Sequence, residues 1–346
     1  MTLPVIEGPY WADIQAQPTA LAATLEWLSR AGRRAEVSSL LGSRAWKRIV
    51  LTGMGSSLYA LYRLHLRLTD LSLPCVLMET AELVHYAAGA LDADTLVIAV
   101  SQSGASAETV RLLEAAGAAT VLGVTNTAGS PLAASADLAL FTHAGAEHSV
   151  SCKTYVAALL TLGWLAGAFA QEPEGELLDA LAPSVEQTRE YLSSWRERVE
   201  GLASHLQGIE HLFLVGRGAS LAAALTGALI LKESVQMHAE GMSSAAYRHG
   251  PIEMARANIL TCVFSGDART CALNQKLAQE LTIGGQRVTE IGTGAVIMPC
   301  RLPPGTDAIR PILEILPIQM MTLAFAALAG REAGAFERAK KITDTE

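Results

Sequence analysis

Short runs of β-favouring apolar residues recur along the chain. Each is closed by a polar stretch and followed by an apolar pattern of helical period. The pattern predicts strands at 46–52, 75–78, 95–100, 120–125 and 138–142, and again at 212–215, 259–264 and 288–291, with helices between them. Strands that are apolar throughout and alternate with helices imply parallel sheets covered on both faces. Such sheets bind ligands outside the carboxyl ends of their strands. Residues 156–170 form the longest near-apolar run and include Thr161. The run is shorter than the roughly 20 residues that span a bilayer, so it reads as a helix buried on all sides.

The pattern occurs twice. Residues 48–64, "RIVLTGMGSSLYALYRL", align with residues 211–227, "HLFLVGRGASLAAALTG". Gly53 matches Gly216, Gly55 matches Gly218, Ser57 matches Ser220 and Leu58 matches Leu221. A repeat this long is a domain duplication and not a solenoid. The organisation it predicts is a helical lead at 1–29, a first α/β domain at 30–170, a helical linker at 171–195, a second α/β domain at 196–331 and a tail at 332–346. Each domain is expected to be a doubly wound parallel sheet of the flavodoxin-like type.

Composition narrows the function. The chain has 346 residues, half of them apolar, which suits two packed domains. Its net charge of −8 argues against a nucleic-acid partner, which would call for a basic face. The five cysteines show no C-x-x-C spacing and read as small buried hydrophobes in a reducing compartment, not as zinc ligands. The first residues carry Glu7 and Asp13 but no basic n-region or apolar h-region. The sequence therefore predicts a cytoplasmic protein with no membrane partner.

The strand at 95–100 runs into "SQSGASAET", residues 101–109. A strand-to-helix loop aims backbone N–H groups and the positive end of a helix dipole at one spot, which favours an anion such as phosphate. The hydroxyls of Ser101, Ser103, Ser106 and Thr109 and the amide of Gln102 would add neutral donors. Gly104 would let the backbone come close. The alternative is an ordinary serine-rich helix cap, for which one or two hydroxyls suffice. The corresponding loop of the second copy, Phe264-Ser265-Gly266-Asp267, keeps Ser-Gly but adds an aspartate that would repel phosphate. Only the first half is expected to hold phosphate.

Two strand–GxGxS–helix units, with S-Q-S-G-x-[ST]-x-[DE]-T in the first, resemble a tandem sugar isomerase (SIS) domain protein. Residues 230–251, "ILKESVQMHAEGMSSAAYRHGP", are similar to the L-K-E…H-A-E…[KR]-H-G-P signature of the isomerase half of glucosamine-6-phosphate synthase and of its stand-alone isomerase and deaminase relatives. Residues 12–18, "ADIQAQP", are similar to that family's opening motif, and "AKKIT", 339–343, to its lysine tail. The resemblance implies that Ser57, Ser101, Gln102, Ser103 and Ser106 hold a sugar phosphate, with Gly55, Ser56 and Val150 also lining the substrate. It implies that Glu233 moves a proton between C1 and C2. It implies that His249 assists ring opening in a neighbouring subunit of a homodimer, and that Lys340 reaches the open-chain carbonyl. A partly buried carboxylate, a histidine near neutrality and an amine suit those steps, which need no metal and no cofactor.

The chain departs from the family pattern. It opens almost directly on the isomerase-like motif, so it is expected not to draw ammonia from glutamine itself. The lysine three residues before the catalytic glutamate is Ile230 here. The loop "EHSVSCK", 147–153, is one residue shorter than the family's, and the tail lacks Pro-Arg before its lysine. The favoured expectation is an enzyme that converts glucosamine 6-phosphate to fructose 6-phosphate and ammonia. A fructosamine phosphate deglycase and a plain aldose–ketose isomerase are its variants. A non-catalytic sugar-phosphate sensor is the alternative. A dinucleotide enzyme is weaker, because the third glycine of G-x-G-x-x-G is Leu58 here, although Glu79 ends the next strand.

Overall fold

A computed structural model describes residues 3–338 and 341. The chain divides into two compact units. One comprises Thr19–Glu147 and Cys152–Pro183 with Arg338 and Lys341; the other comprises the described residues before Thr19, His148–Ser151 and Ser184–Glu337. At the lead, the boundary after Pro18 falls inside the expected helical stretch 1–29. The stretch 171–195, expected to be a helical linker, holds the helices Glu174–Leu181, burying Leu177 and Leu181, and Pro183–Ser193, burying Thr188, Tyr191 and Leu192, and the boundary between the units falls inside it, between Pro183 and Ser184. Their apolar faces give each a surface to bury, so they join the units' cores.

The first unit contains β1 (Arg48–Gly53), β2 (Cys75–Glu79), β3 (Thr95–Val100), β4 (Thr120–Thr125) and β5 (Leu138–Phe141), paired in the order β2-β1-β3-β4-β5. Every pairing is parallel. β3 is buried along its whole length, as its unbroken apolar sequence requires. The helix Lys153–Phe169 is buried from Lys153 to Ala168, in agreement with the reading of that run. Gly167, on this helix, has a reason in packing. A Cβ there would stand 2.5 Å from Leu177 Cδ2.

The second unit contains β6 (His211–Gly216), β7 (His238–Ser243), β8 (Ile259–Phe264) and β9 (Arg287–Ile291), all parallel, in the order β7-β6-β8-β9. The sequence pattern did not predict β7, an edge strand with only Ala239 buried. What commits it to the sheet is Gly241: a Cβ there would lie 2.5 Å from Ala224 O, so only glycine lets β7 approach the helix Leu221–Val235. The helix Arg310–Ala329 is buried from Pro311 to Ala327. It is long and apolar enough to cross a membrane, but 89% of its 18-residue apolar window is covered by the fold, as in a core helix. Gln319 on this helix and Gln17 exchange hydrogen bonds of 2.9 and 3.0 Å through their amides, which ties the opening motif to this core.

Candidate functional site

In the first sheet the loops after β1 and β3 leave from adjacent strands, with Gly53 paired to Val100. The chain order reverses between these two strands, which places a topological switch point there. After β1, Gly53 packs tightly: a Cβ would stand 2.9 Å from Leu58 N and 3.0 Å from Val100 O. Gly55 takes φ +50° and caps the helix Ser56–Ala60. Ser56 and Ser57 open that helix and are half-buried. Gly55, Ser56 and Ser57 thus follow β1, the neighbour of the strand from which the Ser101–Ser106 loop leaves.

That loop is held by its own backbone. Ser101 Oγ accepts from Gly104 N at 3.2 Å, and Ser103 Oγ accepts from Ala105 N at 3.2 Å. Ser106 caps the helix Ala107–Ala115, accepting from Thr109 N, and its hydroxyl lies 2.8 Å from Thr109 Oγ1. A hydroxyl that accepts an N–H keeps its own proton to donate. Ser101 and Ser103 therefore each keep a hydroxyl proton to donate. The Gln102 carbonyl is taken up by Asn126 N at 3.1 Å and Thr125 Oγ1 at 3.2 Å. Gly104, expected to admit a ligand, has a second reason to be glycine: φ is +63°, and a Cβ would meet Ser130 Oγ at 2.2 Å. The sequence reading missed Asn126 and Ser130 as supports. The signal was the polar run "TNTAGS" after β4.

The remaining expected residues are placed as follows. Glu233 is half-buried in the last turn of the helix Leu221–Val235. Ile230, one turn earlier, is fully buried and presents no polar group. His249 is exposed just after the helix Ser244–Arg248, before Gly250 at φ +137°. Val150 is buried in a segment fixed by His148 N donating to Asp13 Oδ2 at 2.7 Å and by Ser149 Oγ donating to Gly334 O at 2.5 Å. Lys340 lies outside the described residues. Its neighbour Lys341 donates to the buried Glu147 carboxylate at 2.6 Å. Glu147 also accepts from Cys152 N, Thr154 N and Thr154 Oγ1. Lys341 is thus held as an ion-pair partner.

A cavity of about 580 Å³ in the first unit, lined by Arg34, Trp46, Ile49 and Leu73 among others, opens at the amino end of β1, away from these loops. Among the described residues, no group of three or more His, Cys, Asp or Glu is arranged to hold a metal ion.

The SIS domain model matches residues 44–168 and 205–288, which include both Gly-x-Gly loops and the serine loop. The chain belongs to the SIS domain family. It is 29% identical over 301 residues to a glutamine–fructose-6-phosphate aminotransferase (isomerizing) of Pyrococcus horikoshii, covering 82% of this chain and 50% of that protein. The chain spans about half the length of the curated relatives it matches. The same SIS fold occurs in the C-terminal domain of glucosamine-fructose-6-phosphate aminotransferase from Francisella tularensis, with TM-score 0.82 and 20% identity over 97% of this chain and 100% of that one. It also occurs in glucosamine-6-phosphate deaminase from Thermotoga maritima, with TM-score 0.80 and 20% identity over 98% of this chain and 100% of that one.

Proposed function

We propose that the chain acts on an amino-sugar or ketose 6-phosphate, and that glucosamine 6-phosphate is converted to fructose 6-phosphate and ammonia. The reading is carried by one observation: at the first sheet's switch point, Ser101 and Ser103 accept backbone N–H groups and so keep their own protons to donate. Neutral donors at the start of a helix suit a phosphate that must be held and released. In this reading the loop Ser101–Ser106, with Ser57, anchors the phosphate, and Gly55, Ser56 and Val150 line the sugar. His249 moves the ring-opening proton, and its exposure on its own chain suits donation to a second subunit of a homodimer. Glu233 takes the C2 proton of the open-chain aldehyde and returns it at C1. The resulting 2-imine adds water and releases ammonia, leaving fructose 6-phosphate. Half-burial of Glu233 suits a base that must hold its proton between the two carbons. Lys340 is assigned to the carbonyl, since Lys341 is engaged by Glu147.

The test is turnover of glucosamine 6-phosphate, followed as ammonia release and as exchange of the C2 hydrogen in deuterated water. Both are expected. Aldose–ketose exchange without ammonia would make the protein an isomerase. Ammonia release only from fructosamine phosphates would make it a deglycase. Tight binding with no turnover of any of these would favour a sensor, a reading supported by Ile230 where the family has lysine. The shared-subunit assignment has its own test: mixing inactive Glu233→Gln and His249→Ala proteins is expected to restore activity to roughly a quarter of wild type after subunit exchange. No recovery, with exchange verified, would contradict it.

A further inference from the structure

The second sheet has its own switch point, between β6 and β8, and a different set of groups occupies it. Ser220 ends the turn after β6, and its hydroxyl donates to Glu314 Oε1 at 2.9 Å. Glu314 lies in the first turns of the buried helix Arg310–Ala329 and is 1% exposed. Its Oε2 is buried and has no hydrogen-bond partner. Among the described residues Glu314 has no basic partner. The charges acting on it are Arg310, itself bound to Asp307 at 2.8 and 3.0 Å, and the acids Asp267 and Asp307.

The loop after β8 closes over this pair. Gly266 takes φ +73°, and a Cβ there would lie 3.6 Å from Ser220 Oγ and 3.2 Å from Asn274 Nδ2. Asn274 is fully buried and fixed, donating to Ser265 O at 3.2 Å and accepting from Ser244 Oγ at 2.7 Å. Asp267 follows Gly266 and is half-buried. The partnerless Glu314 Oε2, the Ser220 hydroxyl and the Asp267 carboxylate, which Arg269 Nε approaches to 3.6 Å, form an oxygen-rich cluster in a fixed frame.

We propose that this carboxyl edge binds a small, singly charged cation of the size of ammonium or potassium, held by Glu314 Oε2. The donor set is oxygen only and lacks the nitrogen and sulfur ligands that select transition metals. Without the cation, burial pushes the Glu314 carboxyl up to about 8, so it carries a proton at neutral pH. Binding replaces that proton: the carboxylic acid loses H⁺ to water, and the carboxylate pairs with the cation. The ligand-free fold holds this proton from its ordinary value of 4.5 to about 8, whereas the unfolded chain has lost it. Stability contributed by that proton is full below 4.5 and falls as pH rises to about 8, and a bound cation offsets the loss.

The experiment is thermal melting of the full chain at pH 6 to 9 in ammonium chloride, potassium chloride or tetramethylammonium chloride at equal ionic strength. A saturable rise in melting temperature is expected with ammonium or potassium and not with the bulky ion; the arm that responds names the ligand. Apparent affinity should rise about tenfold per pH unit up to about 8 and then level. The rise should vanish in Glu314→Gln. If that variant does not fold, calorimetry of wild type in two buffers of different ionisation enthalpy should show close to one proton released per cation at pH 7. No saturable effect of either cation on wild type would overturn the proposal, as would a pH-independent effect without proton release.

Discussion

After β1 and after β6 the chain makes the same turn. The first glycine packs against the start of the next helix, and the second takes a positive φ, +50° at Gly55 and +58° at Gly218. A serine follows in each copy, Ser57 and Ser220. The neighbouring loops then diverge. After β3 the loop is a set of neutral hydroxyls fixed by backbone N–H groups, whereas after β8 it is Ser-Gly-Asp, closing over a serine bound to a buried glutamate. One scaffold thus presents a neutral-donor edge in one copy and an acidic edge in the other. The frame comes from glycines and sheet order; the charge of the ligand each edge suits comes from a handful of side chains.

The largest expected effect separates binding from chemistry. Glu233→Gln should lower turnover roughly 100-fold or more, the usual worth of a positioned general base, and leave binding of glucosamine 6-phosphate within a few-fold of wild type. A parallel loss of binding would break the division of labour between the copies. Steady-state kinetics and calorimetry on the same preparation decide it.

Next come the paired glycines. Gly104→Ala puts a methyl group into Ser130 and Thr125 at a positive φ and should cost about 1–3 kcal/mol of stability. Gly266→Ala carries similar backbone strain, but its nearest neighbour is Asn274 Nδ2 at 3.2 Å, so it should cost less. Urea midpoints of the two variants compare them directly. A larger loss at Gly266 would mean that the second loop is the more tightly built.

The smallest effect concerns Ser106. Because its hydroxyl caps the helix Ala107–Ala115, Ser106→Ala should lower stability by about 1 kcal/mol even without ligand, whereas Ser103→Ala should change ligand-free stability little. Both should weaken phosphate binding by about 1 kcal/mol or more. Equal ligand-free stability of Ser106→Ala and wild type would remove the capping role.

Much of this was legible in the chain. β1, β3, β4 and β8 are apolar enough to read directly, and the Gly-x-Gly-x-Ser repeat gave away the duplication. β7 was hidden because an edge strand with one buried residue has no apolar period; its place depends on Gly241 meeting a helix backbone. The stretch 171–195 read as a helical linker from its polar, helical pattern, and the boundary between the units falls inside it; the burial of its spaced leucines depends on the cores it packs against. The serine loop announced its polarity, but not that its hydroxyls accept backbone N–H groups. Glu314 gave one local signal, an acid inside an apolar run. Its meaning depends on Ser220, 94 residues away in sequence.

The most direct measurement is calorimetric binding of glucosamine 6-phosphate and of glucosamine to the wild-type chain under identical salt and pH. If the first edge holds phosphate through neutral donors, the phosphorylated sugar should bind at least roughly 100-fold more tightly, the scale of a few charge-assisted hydrogen bonds. Equal affinity for the two sugars would contradict the account.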